Sequence, residues 1–187
     1  MLKQILTSDR LVLKRNKANL KTAELMFALV NDNRQHLRPW FSWEALILKV
    51  EDSLKYLFEN ETKFKNGKKV EYGIYLNNKY IGNISIFNIN QDDKSAEIGY
   101  WLSNKFLRQG YMTEALRVVE KELFTNFGLN RIQIRCDEVN KASAGLAHKC
   151  SYVFEGVLRE DNYSKHFKRF RNTLVFSKLK KELKKRV

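Results

Sequence analysis

Proline, cysteine and histidine are scarce in this 187-residue chain, which has one, two and three of them respectively. Two cysteines are too few for a disulfide framework, so we interpret Cys136 and Cys150 as small buried apolar residues. No metal-ligand spacing with acids or cysteines is found around the three histidines, His36, His148 and His166. We therefore expect neither a disulfide-rich scaffold nor a metal site.

Long apolar runs are also missing. No stretch approaches the roughly 20 consecutive apolar residues that a membrane-spanning helix requires. Charged residues interrupt the first fifteen positions, MLKQILTSDRLVLKR, so we find no signal-peptide layout there. Hydrophobic residues nevertheless make up 43% of the chain and aromatic residues 12%, which argues against disorder. We expect one cytoplasmic domain, residues 1–178, with its own core and no membrane association.

Positive charge dominates the chain, with 35 Lys and Arg against 21 Asp and Glu and a net charge of +14. The excess is concentrated in residues 159–187, which hold eleven basic and three acidic residues. Residues 179–187 are expected to form a basic C-terminal tail. Such a run is typical of a solvated segment, but it also suits contact with RNA, a ribosome surface or an acidic protein. The sequence leaves both interpretations open.

The apolar pattern changes its period along the chain. Helical spacing predicts helices at residues 21–30, 51–64, 113–127 and 142–149. Alternation of apolar and polar residues predicts strands at residues 10–14, 70–76, 80–87, 95–102, 131–139, 153–158 and 173–177. Asn77 and Asn78 predict a tight hairpin turn. This order indicates an α+β fold, a mixed sheet with helices on both faces.

The stretch from Ala96 to Ala115 combines a strand, a turn with one glycine, Gly110, and the start of an amphipathic helix. Such a turn directs several backbone N–H groups and the positive end of a helix dipole to one point, which suits a phosphate group. One glycine before a helix is also typical of an ordinary connection. The turn lacks the three glycines of the dinucleotide-binding fingerprint.

Four blocks of sequence, taken in order, resemble one enzyme family. NRQHLRPWFSW (33–43) resembles an N-terminal signature, and AEIGYWL (96–102) resembles a central strand. GYMTEAL (110–116) resembles a pyrophosphate loop with its helix, and VNKASAGLAHKCSYVFEG (139–156) resembles a block that flanks the pantetheine of coenzyme A. Together they make the chain similar to the GNAT superfamily of N-acetyltransferases, and to its RimJ/RimL-like branch of ribosomal-protein N-terminal acetyltransferases.

The resemblance implies a GNAT-like fold, a mixed and mostly antiparallel sheet of about six to seven strands flanked by helices on both faces. It implies that acetyl-CoA is the cosubstrate and that its acetyl group moves to an amine by direct attack. The implied acceptor is the α-amine of a protein N-terminus, of ribosomal-protein type, and another peptide amine or a small amine also fits. Whether the protein is a monomer or a homodimer stays open.

The resemblance also assigns residues to acetyl-CoA. The diphosphate is assigned to the turn and the start of the helix: Leu107, Arg108, Gln109, Gly110, Tyr111, Met112 and Thr113. The pantetheine is assigned to the preceding strand and the fourth block: Tyr100, Trp101, Leu102, Asn140, Ser143 and Lys149. Leu107 replaces the Gln or Arg that the family usually has there, but backbone N–H groups do most of the phosphate binding.

Two residues are candidates for catalysis. Glu97 lies in an otherwise apolar strand and is our first candidate for the base that deprotonates the amine, although a half-exposed strand residue or an ion pair explains it equally well. Ser143 is implied by the resemblance as the group that protonates the thiolate, with Tyr152 and Tyr163 as lesser alternatives. Capping of a helix would by itself explain the Asn140 of the Asn-x-x-Ser motif.

The acceptor groove is implied to be lined by Arg34, Arg38, Trp40, Trp43 and Asn162. Core packing of the tryptophans and solvation of the arginines would explain some of them equally well. In the resembled branch a carboxylate is expected nineteen residues after the serine of the motif, where this chain has Asn162. A second class of function therefore stays open: a catalytically impaired GNAT-like basic module that binds RNA or the ribosome.

Overall fold

Within residues 2–183, which the computed structural model describes, one sheet of eight strands forms the centre of the molecule. The strands are β1 (Ile5–Thr7), β2 (Leu11–Arg15), β3 (Val70–Leu76), β4 (Lys79–Asn90), β5 (Ser95–Leu102), β6 (Arg131–Asp137), β7 (Val153–Ser164) and β8 (Arg169–Leu179). Their order in the sheet is β1-β2-β3-β4-β5-β6-β8-β7. All neighbours are antiparallel except β5 and β6, which are parallel.

The helices of this part of the chain are α1 (Leu20–Asp32), α2 (Arg34–Leu37), α3 (Val50–Lys65), α4 (Tyr111–Lys121) and α5 (Lys141–Lys149). A π turn, Glu122–Asn126, extends α4, and short 3-10 turns lie at Ser42–Leu46, Asn104–Phe106 and Lys180–Glu182. The side chain of Asn140 accepts the N–H of Ser143 at 3.1 Å and so caps the start of α5. The capping role predicted for Asn140 is confirmed.

Each face of the sheet has its own apolar core. One core packs the sheet against α4 and α5, and its buried helical residues include Leu116 and Ala147. The second core packs the opposite face against α1 and α3, and includes Met26 and Leu57. The prediction of helices on both faces of a mixed sheet is therefore confirmed.

The strand boundaries differ from the prediction where the apolar pattern is weak. β3 and β5 have the predicted bounds, but β1 is a strand that the sequence analysis missed, because three residues are too few to show alternation. The sheet therefore has eight strands in the described residues, rather than six to seven. β7 and β8 both extend past their predicted ends, because residues 159–170 are almost all exposed and show no apolar face.

The pairing of β7 with β8 continues beyond the pairing of β8 with β6. β6 pairs with Thr173–Leu179 of β8, whereas β7 still pairs with β8 at Ser164 and Arg169. Residues 159–172 therefore form a two-stranded extension, which we call the β7–β8 arm. The ring of Phe167, at the tip of this arm, lies 6.5 Å from the ring of Trp40, which follows α2.

Part of the predicted basic tail belongs to the fold. β8 ends at Leu179, and the next residue, Lys180, donates its N–H to the carbonyl of Asn130 at 2.8 Å. Leu183 packs against the first core. The tail predicted at 179–187 is thus integrated as far as residue 183, and residues 184–187 lie outside the described residues.

Candidate active site

A cleft opens where β5 and β6 separate. These strands pair only over Ser95–Glu97 and Arg131–Gln133, a short parallel seam, after which β5 follows β4 and β6 follows β8. The cleft has a volume of about 1190 Å³. Beyond the seam, no strand of residues 2–183 lies between β5 and β6. Peptide groups on their facing edges are therefore able to bond a ligand.

The predicted phosphate-binding turn borders this cleft. Arg108 and Gly110 have left-handed backbone conformations, with φ of +60° and +82°, and α4 begins at the next residue. No side chain caps this helix, so the N–H groups of its first turn remain available at the positive end of its dipole. Of the turn residues assigned to acetyl-CoA, all but Gln109 line the cleft. The Gln109 amide instead donates to the carbonyl of Lys105 at 3.0 Å.

A brace that the sequence analysis missed holds this turn. Arg10 donates from Nη1 to the carbonyl of Gln109 at 3.2 Å and stacks 4.5 Å from the ring centroid of Tyr111. Glu114 accepts hydrogen bonds from the Ser8 hydroxyl at 2.6 Å and from Nε of Arg10 at 2.7 Å. Partial burial by itself raises the pKa of Glu114, but these hydrogen bonds outweigh it and lower the pKa. No local signal reveals a contact between residues 104 positions apart.

Ser143 and Tyr100 meet at the cleft. The Tyr100 hydroxyl, from β5, lies 3.0 Å from Oγ of Ser143, from α5. Burial raises the pKa of Tyr100 far above its ordinary value, and the hydrogen bond with Ser143 offsets only part of the shift. Tyr100 therefore keeps its proton at neutral pH and can donate it to Ser143 Oγ. When Tyr100 is the donor, the Ser143 hydroxyl can direct its own proton at a ligand.

The other residues assigned to acetyl-CoA lie along the same cleft. These are Trp101, Leu102, Asn140 and Lys149. Trp101 and Leu102 come from the part of β5 beyond the seam, which pairs with β4 but not with β6, and Asn140 and Lys149 come from the two ends of α5. The structure thus brings together residues from two sequence blocks that are about forty positions apart.

Glu97 lies beside the cleft rather than in its lining. It lines a smaller pocket of about 180 Å³ at the seam, together with Asn88 and Arg131. Asn88 Nδ2 donates to Glu97 Oε2 at 3.2 Å. Burial raises the pKa of Glu97, while Arg135 and the Asn88 hydrogen bond oppose the shift and Asp161 adds to it. Arg135 and Asp161 line the main cleft, so Glu97 is coupled electrostatically to it.

The residues predicted to bind the acceptor fall into two groups. Arg38, Trp40 and Asn162 line the cleft. Arg34 does not, because its guanidinium is bound to the buried carboxylate of Glu44 at 3.0 Å. Trp43 does not either, because it packs in the second core with its ring 6.1 Å from that of Trp101. Trp43 therefore follows the alternative interpretation of core packing. Arg34 follows neither interpretation, because it is held in an ion pair with a buried acid rather than solvated.

Paired charges form the wall of the cleft beside Asn162, and the sequence analysis missed them. Asp161 pairs with Arg135 and Asp137 pairs with Arg171, each at 2.6 Å between nitrogen and oxygen. Asp137, Arg135 and Asp161 line the cleft, and Asn162 lies beside them. Since each acid has a basic partner, the wall presents polar groups of both signs rather than one strong charge.

Comparison with known proteins identifies the family. The model of the acetyltransferase (GNAT) domain matches residues 10–153, which is most of the chain. This chain belongs to the GNAT acetyltransferase family. The predicted fold, the predicted enzyme class of N-acetyltransferase and acetyl-CoA as the acetyl donor are confirmed by that membership.

Individual relatives of this GNAT acetyltransferase agree with the predicted branch. It is 27% identical over 138 residues to the ribosomal-protein-serine acetyltransferase of Escherichia coli strain K12, which covers 74% of this chain and 77% of that protein. The acetyltransferase MccE, of microcin C7 self-immunity, solved with acetyl-CoA and AMP, superposes with a TM-score of 0.86 at 27% identity over 92% of this chain and 93% of that chain. RimL, a ribosomal L7/L12 alpha-N-protein acetyltransferase solved with coenzyme A, has the same fold, with a TM-score of 0.87 at 24% identity over 94% and 97%.

Both cysteines of the GNAT acetyltransferase are buried free thiols. Burial raises the pKa of Cys136 and raises that of Cys150 to about 11, so both stay protonated at neutral pH and their interpretation as small apolar residues is confirmed. Across residues 2–183, His, Cys, Asp and Glu form no group of three suited to a metal ion. None of the helices in that range combines the length and apolarity needed to span a bilayer.

Replacing Glu114 with Gln should weaken the brace of this GNAT acetyltransferase. The free energy of unfolding should fall by about 1 kcal/mol at neutral pH, the order expected for a charged hydrogen bond that is partly solvated. Because the folded pKa of Glu114 is lowered, this stabilisation exists above the unfolded carboxyl pKa of about 4.3 and is lost as pH falls through the folded value. Urea unfolding at neutral pH and near pH 3 measures the difference.

The matched control for this prediction is Glu59→Gln, on an exposed position of α3. This change should leave the free energy of unfolding nearly unaltered at both pH values. If Glu114→Gln lowers stability equally at both, the carboxylate of Glu114 does not supply the effect.

Proposed function

We propose that this acetyltransferase moves the acetyl group of acetyl-CoA to the α-amine of a protein N-terminus, with a ribosomal protein as the acceptor. One observation carries the proposal: a single cleft joins the uncapped start of α4 to a groove between Trp40 and Asn162. The first end suits a diphosphate and the second end suits an extended peptide. The name of the E. coli relative, a ribosomal-protein-serine acetyltransferase, supports the choice of acceptor.

Backbone groups of the turn would hold the diphosphate. The N–H groups from Arg108 to Thr113 lie at the uncapped start of α4 and would donate to the phosphate oxygens, and the Arg108 side chain would add a charge-assisted contact. Lys149 contributes a second positive charge on the other wall. The bound cosubstrate supplies an activated acyl group. Free N–H groups of β5 beyond the seam would polarise its carbonyl, a contribution of roughly 2.7–4 kcal/mol where such donors have been measured.

Glu97 would accept the proton of the amine. An α-amine has a pKa of about 7.7–8.0, against about 10.4 for lysine, so a moderate base is sufficient. The pKa of Glu97 is raised by burial, which brings the carboxylate closer to the strength required. Since Glu97 lies at the seam and not in the cleft lining, we place one water molecule between it and the amine.

Ser143 would donate a proton to the departing sulfur. In the transfer, the amine nitrogen bonds to the acyl carbon and the bond from that carbon to sulfur breaks. The amine proton would pass through the water to Glu97 and the Ser143 hydroxyl would give its proton to the sulfur, after which solvent carries the proton from Glu97 back to Ser143. With Tyr100 as the donor of the hydrogen bond to Ser143 Oγ, the serine hydroxyl would be oriented as a donor towards the sulfur.

The chemistry of the chain favours an α-amine over other acceptors. Lysine is almost fully protonated at neutral pH and would need a stronger base than Glu97. Small polycations are repelled by a protein with a net charge of +14, because the acids of the cleft wall are already paired with arginines. A single α-amine avoids both difficulties.

Acetyl transfer to matched peptides tests the proposal. The substrates are peptides from ribosomal-protein N-termini, each prepared with a free and with a blocked α-amine, and a polyamine is assayed beside them. Release of free thiol should occur with the free peptides alone, and mass spectrometry should locate the acetyl group on the α-nitrogen. Transfer to the polyamine alone would overturn the proposed acceptor. Binding of acetyl-CoA without transfer to any amine would instead favour the catalytically impaired module.

A further inference from the structure

The β7–β8 arm presents an excess of positive charge to solvent. Four basic residues of the arm are exposed and form no ion pair within residues 2–183: Arg159, Lys165, Lys168 and Arg169. The arm has two acids, and one of them, Asp161, is already bound to Arg135. The fifth basic residue, Arg171, is buried against Asp137. The solvent-facing part of the arm is therefore cationic.

The arm also carries exposed aromatic rings. Tyr163 and Phe170 are paired across the two strands, with ring centroids 5.3 Å apart and planes at 75°. Their exposed fractions are 54% and 59%, which is high for rings of this size. Phe167, at the tip, is 37% exposed. Solvation explains exposed lysines, but it does not explain a neighbouring pair of exposed rings.

We propose that the β7–β8 arm binds single-stranded RNA. Cations along an extended strand suit the phosphate backbone, and exposed rings suit stacking of unpaired bases. An acidic protein would satisfy the charges but would leave the rings without a planar partner. A duplex would satisfy the charges too, but its bases are already stacked on one another.

The position of the arm links this surface to the cleft. Phe167 packs near Trp40, and Tyr163 and Lys165 line the acceptor end of the cleft. RNA on the arm would therefore lie beside the N-terminus that enters the groove, as in a particle of RNA and protein. The idea that this RNA belongs to the same particle as the acceptor protein rests on the proposed function, whereas the proposal that the arm binds RNA does not.

Fluorescence anisotropy of a labelled single-stranded RNA of about 12 nucleotides tests the proposal. Lys168→Asn combined with Arg169→Gln removes two cations, and asparagine suits the φ of +53° at position 168. This double variant should bind more weakly, with a slope of log affinity against log salt that is less steep by about 1.4. Phe170→Leu should bind about fivefold more weakly or worse, with the slope unchanged.

Matched controls lie on α1 and α3. Lys21→Gln with Lys55→Gln removes two other exposed cations, and Phe58→Leu replaces a ring that is 57% exposed, close to the 59% of Phe170. These variants should bind RNA as the unaltered protein does. Equal losses in control and arm variants would overturn the proposal, because they would assign binding to the overall charge. The proposal also fails if the unaltered protein does not bind, or if duplex RNA or polyglutamate competes as well as single strands.

Acetylation of a free peptide without RNA separates this inference from the proposed function. None of Lys168, Arg169 and Phe170 lines the cleft, so the arm variants should acetylate the peptide at the normal rate. Loss of RNA binding with normal acetylation supports the proposal. Loss of RNA binding together with loss of acetylation would contradict the proposal that the RNA site is distinct from the groove. RNA binding by a protein that acetylates no peptide would defeat the proposed function and leave the arm's role intact.

Discussion

Gly110→Pro is expected to abolish the binding of acetyl-CoA. Gly110 has a φ of +82°, whereas proline is fixed near −65°, so the turn cannot keep its path into α4. Proline also removes one of the N–H groups that we propose bind the diphosphate. Acetyl-CoA at about 100 times its dissociation constant should stabilise the unaltered protein by about 2.7 kcal/mol. This gain should vanish in the variant, and thermal unfolding with and without acetyl-CoA measures it.

Gly128 provides the matched control for this variant. It has the same φ of +82°, lies after the π turn that extends α4, and has open space where a side chain would be added. Gly128→Pro should therefore lose stability through the same backbone strain and still be stabilised by acetyl-CoA. Gly110→Asn should retain part of the binding, because asparagine tolerates left-handed conformations. Full stabilisation of Gly110→Pro by acetyl-CoA would contradict the assignment of the turn.

Glu97→Gln should slow acetyl transfer by about a hundredfold or more, the usual contribution of a positioned general base. Glutamine keeps the shape of the side chain and its place beside Asn88, so stabilisation by acetyl-CoA should be unchanged. In the unaltered protein the rate should rise with pH as Glu97 ionises, through a pKa that burial has raised. That rise should disappear in the variant, and pH profiles of kcat/KM measure the difference.

Asn88→Gly provides an independent check on Glu97, because glycine removes the side chain and accepts the φ of +51° at this position. The hydrogen bond from Asn88 lowers the pKa of Glu97, so its removal should move the rise in rate to higher pH without abolishing activity. An unchanged pH profile in both variants would exclude Glu97 as the base. Asp137 and Asp161, the acids of the cleft wall, would then be the groups to test.

The sequence predicted most closely the strands that polar turns delimit. β3 and β5 have the predicted bounds because such turns border them, Asn77 and Asn78 after β3 and residues 91–94 before β5. The β7–β8 arm is exposed on both faces, so no apolar pattern marks the ends of its strands. β1 is stabilised by its pairing with β2, and a strand of three residues is too short to be predicted from its own sequence.

The site was predictable where function depends on local backbone. The turn at Gly110 and the cap at Asn140 are properties of a few consecutive residues, and both lie where the sequence analysis placed them. The brace of Arg10 and Glu114 joins distant parts of the chain, so no short segment of sequence could predict it. Arg34 was assigned to the groove because an arginine suits a peptide as well as it suits a buried glutamate, and only the structure distinguishes the two.

The short seam between β5 and β6 has a consequence for hydrogen exchange. Three residue pairs join a half-sheet of five strands to a half-sheet of three, although both belong to one sheet by strand order. Beyond the seam β5 has a bonded neighbour on one side only, so those of its amides that face β6 should exchange as the unpaired amides of an edge strand do. A ligand bound in the cleft would contact both half-sheets, and the amides of β5 that face it should then exchange more slowly.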